Sequence, residues 1–280
     1  MDQTLSSDPI APQGFGVRRF GAVNWLGLQT LLAKEIRRYL KVSFQTIFAP
    51  VISTLLFLVV FMQAMGRGRA AIDGVPYVEF LAPGLVMMAI LTNAFANSSS
   101  SIIIAKVQGS IVDVLMPPLS ASELTVAFVA GAASRGLLVG LVAALTSAGF
   151  MAFSPTPMHI EHFWAVAYFS TCAALIFGML GVLGGVWADK FDQLAVVTNF
   201  IITPLTFLSG TFYAITNLPQ PFLVFSHANP VFYLIDGFRY GFTGAAEAPV
   251  ALGAAVCLGL VIALGLSSYF VIKAGYKLQS

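Results

Sequence analysis

The feature that most constrains this chain is a series of long apolar runs without any charged residue. Residues 42–65 contain no Asp, Glu, Lys or Arg, and comparable runs recur along the sequence. A helix needs about 20 residues to cross a hydrocarbon core about 30 Å thick, so each run is long enough to span a bilayer. Hydrophobic residues make up 58% of the chain and charged residues 9%, compared with roughly 25% charged residues in a soluble domain. The sequence therefore predicts an all-α integral membrane protein.

Six transmembrane helices are predicted. They cover about residues 42–65, 80–105, 124–153, 163–188, 194–215 and 248–272. Between spans 5 and 6, prolines at 219, 221 and 230 interrupt apolar segments that are too short to cross the membrane. These segments predict a re-entrant helical pair, in which Asp236 and Arg239, one helical turn apart, neutralise each other.

Both ends of the chain are predicted to lie in the cytoplasm. Residues 1–21 form a polar tail, expected to be flexible, and residues 273–280 form a second, short tail. With six spans, ten of the 14 Lys and Arg residues fall on the side that carries both tails. The positive-inside rule assigns that side to the cytoplasm.

An amphipathic helix is predicted over residues 22–41, lying in the membrane interface ahead of the first span. Its apolar stripe recurs at three- and four-residue steps and consists of Trp25, Leu28, Leu32, Ile36 and Tyr39. Its opposite face is basic and carries Lys34, Arg37, Arg38 and Lys41. This combination of faces is typical of interfacial helices.

The loop between spans 2 and 3 is the most polar part of the middle of the chain. Apolar residues at helical spacing predict a short amphipathic helix over Val107–Leu115, and Pro117 ends it. Ser120 and Glu123 then have the spacing of a capping box that opens span 3. Two readings remain open at this point: a contact site for a protein outside the membrane, or a loop that lies on lipid head groups.

Spans 2 and 3 carry features that predict how they pack. Span 2 contains Thr92, Asn93 and Asn97, followed by four serines at 98–101, so its polar face should turn towards protein or a water-filled path. Span 3 carries a small residue at every fourth position, which predicts close approach of another helix. These small residues are Ala132, Gly136, Gly140, Ala144 and Ala148.

Arg135 lies about three turns inside span 3, where an unpaired charge is costly. The sequence therefore predicts a partner for its guanidinium. One possibility is a structural ion pair with Glu79, Asp192 or Asp236; the other is a direct contact with a transported substrate.

Several classes of function lack support in the sequence. The pattern G-x-x-x-x-G-K-[ST] is absent, so no P-loop nucleotide site is predicted. His159, Glu161 and His162 share an exposed turn, which is expected to be solvated rather than to bind a metal, and no catalytic group is predicted. The net charge of +2 does not suggest nucleic acid. A self-sufficient channel or ion-driven carrier remains an alternative, although no Asp or Glu lies well inside a span.

Five stretches together resemble the permease subunits of ABC type-2 exporters, in particular the bacterial branch of nodulation-factor-type and YadH-like permeases. They are FLAPGLVMM at 80–88, AKVQGSIVDVLMPP at 105–118, SRG at 134–136, TPLTFLSGTFY at 203–213 and NPVFYLIDGFRYG at 229–241. The resemblance covers about residues 25–275.

This resemblance implies a homodimer in the bacterial inner membrane, paired with two copies of a separate ATPase subunit. ATP and Mg would bind to that subunit, with no cofactor on this chain. The expected substrate is amphipathic: a lipid, a glycolipid or lipid-linked glycan, or an apolar drug. Residues 107–115 would be a coupling helix, and residues 22–41 the interface helix beside it.

The resemblance also implies roles for individual residues. Coupling to the ATPase would involve Lys106, Gln108, Ser110, Ile111, Asp113 and Leu115. The interface helix would contribute Lys34, Arg37 and Arg38. The translocation path, or buried polar positions beside it, would include Asn93, Asn97, Arg135, Thr203 and Thr206. An outer gate would include Phe212, Tyr213, Asn229, Tyr233, Asp236 and Arg239.

Overall fold

The computed structural model describes residues 23–65, 71–72, 74–152 and 158–277. The predicted tail at 1–21 and the last three residues of the C-terminal tail lie outside these ranges. The described chain is mostly helical, as predicted. Its strands β1 (Ala71–Ile72) and β2 (Val75–Pro76) form a small antiparallel hairpin in which Ala71 pairs with Pro76.

The helices follow one another along the chain. They are α1 (Trp25–Leu40), α2 (Ala49–Met65), α3 (Tyr77–Val107), α4 (Ile111–Leu115), α5 (Ala121–Met151), α6 (Phe163–Trp187), α7 (Phe191–Val197), α8 (Thr203–Phe207), α9 (Gln220–Ala228), α10 (Pro230–Thr243) and α11 (Val250–Lys273). Two π-helical segments, Phe44–Phe48 and Thr198–Ile202, precede α2 and α8, and a 3₁₀ turn covers Ile215–Asn217.

Five helices of the described chain are long and apolar enough to cross a membrane. They are residues Phe44–Ala64, together with α3, α5, α6 and α11. The predicted fifth span, at 194–215, is instead a shorter apolar segment, Phe191–Phe207, with a π-helical stretch inside it. Pro204 lacks an amide hydrogen and cannot bond to the preceding turn. The chain then leaves the helix at Gly210, whose φ of +75° is left-handed.

The centre of the fold is α3, which is buried along most of its length and packs between α5 and α6. Glycines permit this close approach. A Cβ at Gly181 of α6 would lie 2.2 Å from Ser98 Oγ and 2.5 Å from the carbonyl oxygen of Phe95. A Cβ at Gly140 of α5 would lie 2.3 Å from Ile90 Cγ1. The predicted small-residue seam of span 3 therefore packs against span 2, where contact rather than water exclusion stabilises the pair.

Two short helices, α9 and α10, follow the break at Gly210. Asn229 joins them, because its Oδ1 accepts the Val231 N–H at 3.0 Å and begins α10. Its Nδ2 donates to the Leu205 carbonyl at 3.0 Å and to Ser209 Oγ at 2.8 Å. This amide thereby fastens the start of α10 to the end of α8.

Candidate functional site

One stripe of α3 stays partly exposed while the residues around it are buried. It consists of Met88, Thr92, Ala96, Ser100 and Ile104. Positions four residues apart lie on the same face of a helix, so the stripe is a single continuous strip along α3. A cavity of about 670 Å³ borders it on the side of α2, and a cavity of about 210 Å³ borders it on the side of α7. Both cavities reach Thr92 and Ser100.

The larger cavity lies between α1, α2, α3 and α5, and we call it the polar groove. Its polar lining includes Arg38, Thr54, Thr92, Asn93, Ser100 and Arg135. The remainder of the lining is mainly apolar and includes Phe57, Leu85 and Met88. Of the predicted path residues, Asn93 and Arg135 line this groove.

Arg38 points from α1 towards the polar face of α3. Its Nη2 donates to the Asn97 carbonyl at 2.6 Å and to Asn97 Oδ1 at 3.0 Å, while Nη1 donates to Ser100 Oγ at 3.2 Å. It also pairs with Glu35 at 3.2 Å. Glu35 is fully buried and accepts a hydrogen bond from Ser101 Oγ at 2.7 Å.

These contacts correct the predicted basic face of α1. Lys34 and Arg37 are exposed, but Arg38 is directed inwards, because the buried Glu35 carboxylate requires a cation. Glu35 is not among the residues predicted for the site. The available signal was its four-residue spacing from Leu31 and Tyr39, both of which are buried on the same face.

Arg135 has no carboxylate within 4.0 Å among the described residues; its Nη2 donates to Asn93 Oδ1 at 3.3 Å. The predicted ion pair with Glu79, Asp192 or Asp236 is therefore wrong. Glu79 lies in the first turn of α3, roughly 20 Å along the helix axis from Asn93. Asp236 instead accepts two backbone N–H groups near the start of α11.

Thr203 and Thr206 lie outside the polar groove. Thr203 Oγ1 donates to the Thr198 carbonyl at 2.9 Å, and Thr206 Oγ1 donates to the Thr203 carbonyl at 2.8 Å. Their hydroxyls therefore satisfy backbone acceptors inside the segment broken by Pro204. Asn97 is fully buried and does not line the groove itself. Its Oδ1 accepts a hydrogen bond from Arg38, which does line the groove.

At the end of the molecule that carries α4, the capping box is confirmed. Ser120 Oγ accepts the Glu123 N–H at 3.3 Å, and the Glu123 carboxylate accepts the Ser120 N–H at 2.7 Å. Glu123 also accepts the Asn24 N–H at 2.5 Å, which attaches the start of α1 to α5. This one carboxylate therefore fixes the relative position of α1 and α5.

The helix α4 is shorter than predicted, since α3 continues to Val107 and Gly109 turns the chain with a φ of +70°. Ile111 and Val114 are buried in an apolar cluster that also contains Ile102 of α3 and Leu124 of α5. Val112, Asp113 and Met116 are exposed. The other predicted coupling positions differ in exposure. Gln108 is exposed, while Ser110 and Leu115 are partly exposed.

Lys106 is occupied by contacts within the chain. Its Nζ donates to the carbonyls of Val186 and Ala188 at 2.8 and 2.6 Å and lies 3.4 Å from Asp189. Lys277 also bonds to Asp189, at 2.7 Å. The hydrogen bond from Lys277, assisted by Lys106, holds the pKa of Asp189 below its ordinary value. These lysines cap the carbonyl end of α6.

At the opposite end, Arg239 joins three segments. Its Nη2 donates to the Gly210 carbonyl at 2.6 Å, its Nε donates to the Phe80 carbonyl at 3.2 Å, and it pairs with Glu247 at 3.4 Å. Arg239 therefore forms its short ion pair with Glu247, while Asp236, one helical turn away as predicted, attracts it electrostatically without a contact within 4.0 Å. Glu247 is not among the predicted partners of Arg239, because it lies in the loop beyond the end of α10, where helical spacing gives no guide.

Of the other predicted gate residues, Phe212 and Tyr213 lie in the turn after α8, and Tyr233 lies within α10. Phe212 stacks on Phe61 and Phe207, with ring centroids 4.8 and 5.0 Å apart. Tyr213 Oη donates to the Phe207 carbonyl at 3.2 Å. Tyr233 contacts the ring of Phe232 at a centroid distance of 5.2 Å. An aromatic cluster around Phe212 thus packs the C-terminal part of α2 against α8.

Comparison with known proteins gives a consistent result. Residues 27–243 match the family described as ABC-2 type transporter. The chain is 36% identical over 257 residues to the inner membrane transport permease YadH of Escherichia coli K12, covering 91% of this chain and 98% of that protein. It is 26% identical over 252 residues to nodulation protein J of Rhizobium leguminosarum bv. viciae, covering 86% and 91%. It is also 26% identical over 205 residues to nodulation protein J of Sinorhizobium fredii NGR234, covering 72% and 76%.

Proposed function

The chain belongs to the ABC-2 type transporter family and is a multi-pass membrane transport permease, and on this premise we propose that two copies form the translocation path of an ATP-driven exporter. ATP and Mg bind to two copies of a separate ATPase subunit. The substrate is an amphiphile: a lipid, a glycolipid or lipid-linked glycan, or an apolar drug.

The observation that carries this proposal is the open stripe of α3. A helix buried on its other faces leaves Thr92, Ala96 and Ser100 uncovered between α2 and α7. The Thr92 and Ser100 hydroxyls donate to carbonyls of α3 itself, those of Met88 and Asn97, at 2.8 and 3.2 Å. The guanidiniums of Arg38 and Arg135 in the adjoining groove are costly against lipid, so this side of α3 needs a protein or aqueous neighbour. In a homodimer whose subunits meet across the stripe, the two polar grooves line one path. Helices from spans 1, 2 and 5 form its walls.

Force from the ATPase reaches the membrane through α4. Its inner residues Ile111 and Val114 are anchored in the membrane domain, while Asp113 and Met116 remain accessible to a partner. The hydrogen bonds of Glu123 then transmit a push on this region to both α1 and α5. Movement of α1 shifts Arg38, which is bonded to α3 in the wall of the groove.

The proposed topology has six spans, with residues 191–215 counted as a broken fifth span. Both termini are cytoplasmic in the bacterial inner membrane, and α9 and α10 form a re-entrant pair on the outer side. Arg239 and the aromatic cluster around Phe212 hold this pair against α3 and α2, which forms the outer gate.

The proposal is tested by expressing the chain with and without its nucleotide-binding subunit and reconstituting each preparation into vesicles. We expect a complex with two copies of each subunit, measured by its mass, and ATP hydrolysis that depends on α4. Uphill movement of solute by this chain alone, without nucleotide, would instead identify a self-sufficient carrier and overturn the proposal.

A further inference from the structure

The charged side chains that line the polar groove are Arg38 and Arg135, both cations. Arg38 shares its charge with Glu35, whereas no described carboxylate lies within 4.0 Å of Arg135. The groove therefore carries an excess positive charge. Such a charge at the depth of a membrane helix is costly unless an anion or water approaches it.

The hydrogen-bonding groups show the same imbalance. Each of the two guanidiniums that line the groove has one buried nitrogen without a hydrogen-bond partner within the described part of the chain: Arg38 Nε and Arg135 Nε. Both are donors. The amide oxygens closest to the two guanidiniums are already used, because Asn97 Oδ1 accepts from Arg38 and Asn93 Oδ1 accepts from Arg135. The missing partner is therefore an acceptor.

The two arginines are held at a defined spacing. Asn93 and Asn97 lie four residues apart on α3, and each bonds to one guanidinium. One turn of helix separates them by about 6 Å, which suits a group with several acceptor oxygens placed between two cations. Beyond them, the groove is lined by Phe57, Leu85 and Met88, which provide an apolar surface next to the charged end.

We propose that the polar groove binds the oxyanion head group of an amphiphile, a phosphate or a carboxylate, between Arg38 and Arg135. The apolar tail lies along Phe57, Leu85 and Met88. This inference rests on the proposed transport function and deepens it, because it assigns a negative charge to the transported amphiphile. The groove, at about 670 Å³, has the volume of a typical small-ligand site.

The test is a binding measurement on the purified full-length chain in phosphatidylcholine nanodiscs, without ATPase subunit or nucleotide. The probe is radiolabelled dodecyl phosphate, with dodecanol as the neutral counterpart and inorganic phosphate as the head group without a tail. We expect Arg135→Gln to raise the Kd for dodecyl phosphate about tenfold or more, which is the effect of one lost charge-assisted contact. Dodecanol should bind equally to both proteins.

Two further comparisons ensure that the test does not depend on whether the Arg135→Gln protein folds. Thr92→Glu places a carboxylate on the open stripe and should abolish dodecyl phosphate binding, whereas Thr92→Gln, of similar size, should not. Arg37→Gln removes an exposed charge beside Arg38 and should leave the Kd unchanged. Inorganic phosphate should compete at least about 100-fold more weakly than dodecyl phosphate, because it lacks the buried tail.

Equal Kd values for the wild-type, Arg135→Gln and Thr92→Glu proteins would overturn the proposal. An equal loss in Arg37→Gln would overturn it too, by showing diffuse attraction to the basic surface. Inorganic phosphate that binds as tightly as dodecyl phosphate would exclude an amphiphile site. Because the measurement uses neither ATP nor a partner, its failure would leave the ATP-dependent export test untouched, and failure of that test would not change the Kd values.

Discussion

At the residue scale, the buried charges of this protein are held by partners from distant segments. Arg239 and Glu247 are both largely buried, with 4% and 8% of their side chains exposed, and they lie 3.4 Å apart. The Arg239 guanidinium also covers the Phe80 ring at 3.6 Å from its centroid. Removing one member of a buried pair leaves the other charge uncompensated, which costs more than the pair itself contributes.

We therefore predict that Glu247→Ala destabilises the protein by about 3 kcal/mol, because Arg239 would lose its carboxylate partner. The measurement is reversible unfolding of the purified chain in mixed micelles. Glu161→Ala is the control, since Glu161 is an exposed acidic residue in the loop before α6. A loss below about 1 kcal/mol, equal to that of the control, would show that Arg239 is held by its carbonyl acceptors alone.

At the element scale, the contact between α3 and α6 depends on the absence of side chains. Ser98 Oγ donates to the Gly178 carbonyl across this contact at 2.7 Å, and Gly181 and Gly185 face the backbone of α3. The close packing of these two helices supports α3 as a rigid wall of the polar groove. The short helix α4, in contrast, is attached to the domain by one face only.

We predict that Gly181→Ala destabilises the fold by about 1–3 kcal/mol, because the new methyl group meets the Phe95 carbonyl and α3 must shift. Gly259→Ala in α11 is the matched control, since a Cβ there has no described atom within 4 Å. Thermal unfolding of both variants provides the comparison. Similar transition temperatures for the two variants would contradict the close packing of α3 on α6.

For α4, we predict that the double variant Asp113→Ala and Met116→Ala weakens binding of the ATPase subunit about tenfold while the fold is retained. Both residues are exposed, so their loss removes contact with a partner and little internal packing. The control is Ile160→Ala with Glu161→Ala, an exposed apolar and acidic pair in the loop before α6. Binding is measured by titration with the purified subunit. Unchanged affinity in the α4 variant would reject its coupling role.

At the scale of the whole molecule, two of the membrane-spanning helices in the described part of the chain expose most of their surface. These are α2 and α11. The exposed surface of α11 is apolar, with Leu258, Ile262 and Leu266 outermost, as expected for contact with lipid. The surface beside α2 includes the open stripe of α3 and the polar groove. Lipid tails cannot form hydrogen bonds with the guanidinium groups of Arg38 and Arg135 in that groove. From this difference we expect the subunit contact of the proposed homodimer to lie on the α3 side.

We predict that Ala96→Cys, on the open stripe, yields a covalent dimer with a short bismaleimide in native membranes, whereas Ile262→Cys on α11 does not. Cys172 and Cys257 are both buried, so the background reaction should be low. Gel mobility under reducing conditions measures the product. Efficient cross-linking at Ile262 without cross-linking at Ala96 would assign the subunit interface to α11 instead.

The sequence by itself determined the helical membrane class, the capping box at Ser120, the small-residue contact of α5 and the short helices after the break at Gly210. Each of these follows from local patterns, because helix periodicity, caps and breaks depend on residues within a few turns. The tertiary structure alone decided the partners of Arg38, Arg135 and Arg239 and the uncovered stripe of α3. Those contacts join residues far apart in the chain, such as Arg239 and Phe80, and depend on which helix faces meet.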